Sequence, residues 1–112
     1  MPRGLFAVRF EFANRDLEAL YKEGPKAGRG KKVARRLPTA VVRAFFEVVA
    51  LISVAKSVAT FKLVPALHYH SLRGDRDGFS AMRLNRQYRL VVKEVMDESG
   101  EKLLIIEIVD YH

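Results

Sequence analysis

Phe79-Ser80-Ala81-Met82-Arg83-Leu84-Asn85-Arg86-Gln87-Tyr88-Arg89-Leu90-Val91-Val92-Lys93-Glu94-Val95 reads as two strands, Phe79 to Leu84 and Tyr88 to Val95, joined by a loop of hairpin length. Closing the hairpin on three residues sets Leu84 opposite Tyr88 and Arg83 opposite Arg89, so two guanidinium groups leave the same sheet face. Like charges directly opposite one another are unfavourable unless something negative lies between them. A phosphate suits, because its oxygens match guanidinium forks. A salt bridge to Asp110 is the plainer alternative.

Downstream, the acidic turn Asp97-Glu98-Ser99-Gly100-Glu101 leads into a strand from Lys102 to Val109, apolar on both faces and therefore expected to be central or covered. Alternation then puts Asp110 and His112 on one face and Tyr111 on the other. Upstream, Leu5 to Phe12 alternates as a half-buried strand with Phe6, Val8, Phe10 and Phe12 on one side and Arg9 and Glu11 on the other. Asn14 offers an N-cap, Leu17, Leu20 and Tyr21 share a helical face, and Gly24-Pro25 supplies a stop, which predicts a helix over 15–23. Gly24 to Gly30 reads as a turn or loop.

A longer helical pattern runs from Lys31 to about Lys56, with Pro38 either kinking it or marking its first turn. After Pro38 it is apolar enough to be buried on most sides. Leu63 to Leu67 is a connection, and His68-Tyr69-His70 alternates as a strand would, with both histidines on one face. In Leu72 to Gly78, glycines and acids describe a turn, leaving Arg73 as its residue of chemical interest. Strand, two helices and a meander define an α+β class with a mostly antiparallel sheet.

At 112 residues the chain is expected to form one domain over 1–112, and its 49% hydrophobic and 29% charged composition is that of a globular protein. With no cysteine, neither a disulfide frame nor a thiolate site is available, and three histidines without a suitably spaced carboxylate predict no metal and no cofactor. Arg43, Glu47, Lys56 and Lys62 interrupt the apolar stretch Ala40 to Leu67, so no membrane span is expected. The N-terminal residues do not follow the order of a secretion signal, and a cytoplasmic location is the default expectation.

The net charge of +7 is concentrated early. Residues 1–43 hold eleven of the 20 basic residues and four of the 13 acids, leaving nine of each for the remainder. Lys22, Lys26, Arg29, Lys31, Lys32, Arg35 and Arg36 are opposed only by Glu23. Such a segment attracts phosphate polymers with steep salt dependence; a solvated face or a surface for an acidic protein is the alternative.

The stretch Tyr69 to Val91 resembles, without gaps, the characteristic run of the HigB branch of the RelE-like toxins: Leu-His-Pro-Leu-Lys-Gly-Asp, two variable residues, Gly-Phe, a strand with Arg, a short loop and aromatic-Arg-Leu. Family members often end in Asp-Tyr-His, as at Asp110-Tyr111-His112, and Asp16 to Gly24 is similar to the family's first helix. The resemblance implies two N-terminal helices packed on an antiparallel sheet of about four strands. It also implies cleavage of mRNA in the ribosomal decoding site and neutralisation by a helix-turn-helix antitoxin of the HigA type. By position, the catalytic set would be His70, Arg73, Arg83, Arg89, Asp110, Tyr111 and His112, and the RNA-binding set is read from the basic segment as Lys22, Lys26, Lys31, Lys32, Arg35 and Arg36.

Ser71 replaces the family's usual proline, Ser80 and Tyr88 stand where tryptophan is common, and Arg73 stands for lysine. Arginine keeps the charge but does not yield a proton near neutral pH, which leaves Arg73 an electrostatic role. The expected reaction is metal-free attack of a ribose 2'-hydroxyl on the adjacent phosphate. His70 and His112 would form the proton-transfer pair, Arg73, Arg83 and Arg89 would stabilise the transition state, Asp110 would orient a histidine or an arginine, and Tyr69 and Tyr111 would stack on bases. A catalytically inactive RNA-, ribosome- or antitoxin-binding module of the same fold is the rival reading, and the apolar second helix is suited to an antitoxin or self-association contact.

Overall fold

The computed structural model describes residues 8–24 and 36–111. The strands are β1 (Arg9–Phe12), β2 (His70–Ser71), β3 (Ser80–Arg83), β4 (Tyr88–Asp97) and β5 (Gly100–Asp110), and the α-helices are α1 (Arg15–Glu23), α2 (Thr39–Val54) and α3 (Ala59–Lys62). The sheet order is β1-β5-β4-β3-β2, with β1 parallel to β5 and the other neighbours antiparallel. The class is thus α+β as expected, but with five strands rather than about four and a third short helix. β1 docks on the edge of β5 away from β4, and α1 and α2 pack on the sheet face there.

Helix α1 occupies the predicted span. The Asn14 side chain accepts from the Leu17 amide at 3.1 Å, and Gly24, at φ 88°, ends the helix with its amide on the Leu20 carbonyl. Pro38 precedes α2 and its carbonyl accepts from Val41 and Val42, so it starts the helix and kinks nothing among the described residues. The part of the predicted helix over 31–35 lies outside the described residues. Val41, Phe45, Val48, Val49 and Ile52 recur at i, i+4, i+7, i+8 and i+11 and are buried, whereas Arg43, Glu47, Ala50 and Val54 face solvent. The helix is therefore one-sided, not buried on most sides. With Phe12 and Tyr21 it forms an aromatic junction, ring centroids of Phe12 and Tyr21 lying 5.4 Å apart and those of Phe45 and Phe46 5.4 Å apart.

The core lies between these helices and one sheet face, where Val8, Met82, Leu90, Val92, Leu103 and Ile105 are buried. The other sheet face carries no described helix. Strand β5 is central, as its apolar character predicted, and the acidic turn is tighter than expected, because β4 extends to Asp97 and pairs it with Gly100. Histidines 68 and 70 do not share a strand face: His68 is left-handed, at φ 47°, closing a 3-10 turn (Pro65–Leu67), and β2 begins only at His70.

Candidate active site

The hairpin closes as its sequence predicted. Arg83 pairs with Arg89, and the Leu84 amide donates to the Tyr88 carbonyl at 3.0 Å. Asn85 organises the loop, its side-chain oxygen accepting from the Gln87 and Tyr88 amides at 2.8 Å each. Its carbonyl accepts from Arg83 Nε at 3.3 Å and from the terminal guanidinium nitrogen of Arg89 at 2.7 Å. A backbone dipole thus occupies the position for which the sequence suggested a phosphate or Asp110. Arg89 Nε is buried with no partner among the described residues, and its guanidinium carbon lies 5.1 Å from the centre of the Tyr111 ring.

Cross-strand neighbours on the helix-free face run His70, Ala81, Val91, Glu107 in one row and Arg83, Arg89, Val109 in the next. Ala81 and Val91 are small or branched and buried, and over this floor lies a cleft of about 560 Å³ lined by His70, Ser71, Leu72, Arg73, Arg76, Val91, Val109 and Tyr111. A register shift in β5 makes this possible. Val91 pairs with Glu107 but Val92 pairs with Ile105, which leaves Ile106 as an extra residue. Leu103 and Ile105 face the core, and uninterrupted alternation would send Glu107, Val109 and Tyr111 inward too; the bulge turns all three to the cleft side.

His70 is exposed, and its Nδ1 lies 2.6 Å from the His68 carbonyl. A carbonyl only accepts, so Nδ1 carries the hydrogen and Nε2 of the neutral ring is left as the proton acceptor. The left-handed turn at His68 makes that contact two residues back. Arg73 precedes a 3-10 turn (Gly74–Arg76) and has no ion-pair partner among the described residues; Arg76 reaches across to Glu107 with nitrogen and oxygen 2.5 Å apart.

A profile of the RelE-like toxins of the type II toxin-antitoxin system HigB matches residues 10–112. The chain belongs to the HigB-like toxin family. It is 26% identical over 88 residues to Toxin HigB-1 of Vibrio cholerae serotype O1, covering 79% of this chain and 85% of that one. Its fold is similar to that of a YoeB/ParE toxin from Agrobacterium tumefaciens, with a TM-score of 0.54, 14% identity and coverage of 94% of this chain and 100% of the other.

Of the residues that the HigB resemblance singled out, the structure gathers His70, Arg73 and Tyr111 into the cleft and sets Arg83 and Arg89 beside it. Asp110 lies elsewhere: it pairs with Tyr88 on the core side of the sheet, accepts from Gln87 Nε2 at 3.0 Å, and lines a separate depression with Arg36, Leu37, Tyr88 and Ile108. Tyr111 sits on the opposite face, as alternation required, its amide donating to the Gln87 carbonyl at 2.5 Å. Tyr69 is not placed to stack on a base. Its ring packs 5.6 Å from Phe61, its hydroxyl donates to Glu94, and burial with that hydrogen bond pushes its pKa above the usual phenol range.

His112, Lys26, Lys31, Lys32 and Arg35 lie outside the described residues. Lys22 is exposed and pairs with Glu18 one turn back at 3.5 Å, and Arg36 is exposed beside Asp110's depression. Sequence reasoning missed Arg76 and Glu107. The three-residue spacing from Arg73 across Gly74 was the available signal for Arg76, because side chains at i and i+3 of a 3-10 turn project together. Nothing local announces Glu107, which the bulge exposes. Among the described residues, no helix is long and apolar enough to cross a membrane.

Proposed function

We propose that this HigB-like toxin is an mRNA endoribonuclease that cuts message on the ribosome by attack of a ribose 2'-hydroxyl on the adjacent phosphate. The observation that carries the reading is the convergence of His70, Arg73 and Tyr111, with Arg89 behind the ring, on one open cleft. His70 Nε2 is free to accept or return a proton, because Nδ1 is committed to the His68 carbonyl. His112, one residue beyond Tyr111, supplies the second proton-transfer group. Arg73 and the Arg83–Arg89 pair stabilise charge that builds on the phosphorane, and Tyr111, backed by the Arg89 cation, stacks on a base. Asp110, on the other face, acts by holding the Gln87 side chain and the end of β5.

The basic segment, with Lys22, Lys26, Lys31, Lys32, Arg35 and Arg36, tracks the RNA backbone. Replacing Lys31, Lys32, Arg35 and Arg36 with alanine therefore lowers affinity and flattens its salt dependence. The partner that neutralises the toxin is a cognate antitoxin, as membership of a toxin-antitoxin family supports, and we assign it to the helix-turn-helix, HigA-like type.

The test is expression of wild type, His70→Ala and His112→Ala, with growth followed and RNA ends mapped on translated and untranslated message. Growth arrest with new ends only in translated mRNA, lost in both variants and blocked by 2'-deoxy substitution at the scissile nucleotide, is the expected result. Binding to ribosomes without new ends would make the chain a non-catalytic module, and cleavage of the 2'-deoxy strand would exclude this chemistry.

A further inference from the structure

Glu107 is a carboxylate beside an otherwise cationic cleft, cross-strand from Val91 of its floor, and it is there because of a bulge. Ile106 has no partner in the β4–β5 ladder, and this one extra residue rotates Glu107 from the core side to the side of His70 and Arg73. It then meets Arg76 at 2.5 Å. Both side chains are partly exposed, at 43% and 37%, so the pair contributes little to global stability. The same bulge carries Val109 and Tyr111 to the cleft side, so the place of Glu107 needs an explanation of its own.

The turn between β2 and β3 supplies one. Its base is closed by the Leu72 amide on the Phe79 carbonyl at 2.8 Å, and within it Arg76 donates to Arg73, Asp77 to Gly74 and Phe79 to Arg76. Glycines 74 and 78 both have positive φ, at 68° and 94°, and Arg73, Asp75 and Asp77 are exposed, so the turn carries little side-chain packing of its own. Among the described residues, Arg76 is the side chain that ion-pairs the turn to β5, while Lys93 of β4 lies 5.4 Å from the centre of its Phe79 ring. Arg73, three residues before, lines the same cleft with its cation unpaired among the described residues.

We propose that Glu107 is a positioning residue, which by anchoring Arg76 holds the Arg73–Asp77 turn over the cleft so that Arg73 stands at a set distance from His70. Arg76 is then a strut and not a phosphate ligand. The proposal rests on the ribonuclease reading for its kinetic consequence but not for its structural one.

Two measurements on the full chain separate them: hydrogen exchange at the Asp77 and Phe79 amides, and turnover on ribosome-bound mRNA, for wild type, Glu107→Gln and the double exchange Arg76→Glu with Glu107→Arg. Glu107→Gln is expected to speed exchange at both amides and to lower kcat on the order of 10- to 100-fold with little change in KM, as expected for a misplaced catalytic cation. The double exchange restores the ion pair in reverse and brings both readouts back to within about threefold of wild type. Unchanged exchange in Glu107→Gln, or faster exchange with undiminished turnover, overturns the proposal. Restored exchange without restored turnover also overturns it, because Arg76 itself would then be needed by the RNA. If wild type cuts no RNA, the ribonuclease reading fails by itself, and the exchange data still decide whether Glu107 holds the turn.

Discussion

Arg83 and Arg89 face each other across the β3–β4 hairpin and both donate to one acceptor, the Asn85 carbonyl, at 3.3 Å and 2.7 Å. Two like charges are thereby held side by side by a dipole that neutralises neither. This leaves a concentrated positive field next to the cleft, suited to a phosphate.

Arg89 also donates to the Tyr88 carbonyl at 3.1 Å and lies against the Tyr111 ring. Lysine keeps the charge but neither the fork nor the flat stacking surface. Arg89→Lys is expected to lower RNA cleavage about 10- to 100-fold and folding stability by about 1–3 kcal/mol. Single-turnover cleavage and urea unfolding check the two effects; Arg83→Lys, which loses a longer bond, should be milder in both.

Tyr69 gives an alkaline signature. Its pKa is raised in the folded state, so the native protein holds the phenol proton after the unfolded chain, with an ordinary value near 10, has released it. The contribution to stability is complete below pH 10 and falls as pH rises toward the folded value. Tyr69→Phe removes that residue's share of the alkaline loss and costs about 1 kcal/mol at neutral pH, through the lost bond to Glu94. Stability measured at pH 8 and above pH 10 tests both.

Asp97 gives the opposite slope. The Arg9 guanidinium, followed by the Ser99 amide at 2.8 Å, holds its carboxyl below the usual carboxylate range. Its contribution is present above the unfolded value and disappears as pH falls through the lower, folded one. Acid titration followed at the Ser99 amide should show the β4–β5 turn loosening below pH 4, and Asp97→Asn should abolish that transition.

Phe45 tests the core. It is fully buried on α2 and packs against Phe12 of β1, ring centroids 6.4 Å apart. Phe45→Ala is expected to cost about 3–5 kcal/mol. Val54→Ala, at a position 70% exposed on the same helix, should stay within about 0.5 kcal/mol in the same denaturant series.

Local patterns by themselves determined much of this protein. The hairpin and its Arg83–Arg89 pairing followed from loop length, α1 and its caps from Asn14, helical spacing and Gly24, and the central place of β5 from its two apolar faces. The family resemblance pointed to His70, Arg73 and Tyr111, which line the cleft, and also to Asp110, which lies on the other face. Three features came only from the tertiary structure: the parallel docking of β1 on β5, the left-handed His68 that sets the His70 tautomer, and the extra residue at Ile106 that puts Glu107, Val109 and Tyr111 on the cleft face. For the docking of β1 and the shift in β5, the deciding energy comes from partners far away in sequence, whereas His68 is set by a left-handed turn that no local pattern announced. Burying Leu103 and Ile105 against α1 and α2 sets one phase of alternation in β5, pairing with β4 sets another, and only the assembled sheet places the one-residue shift between them.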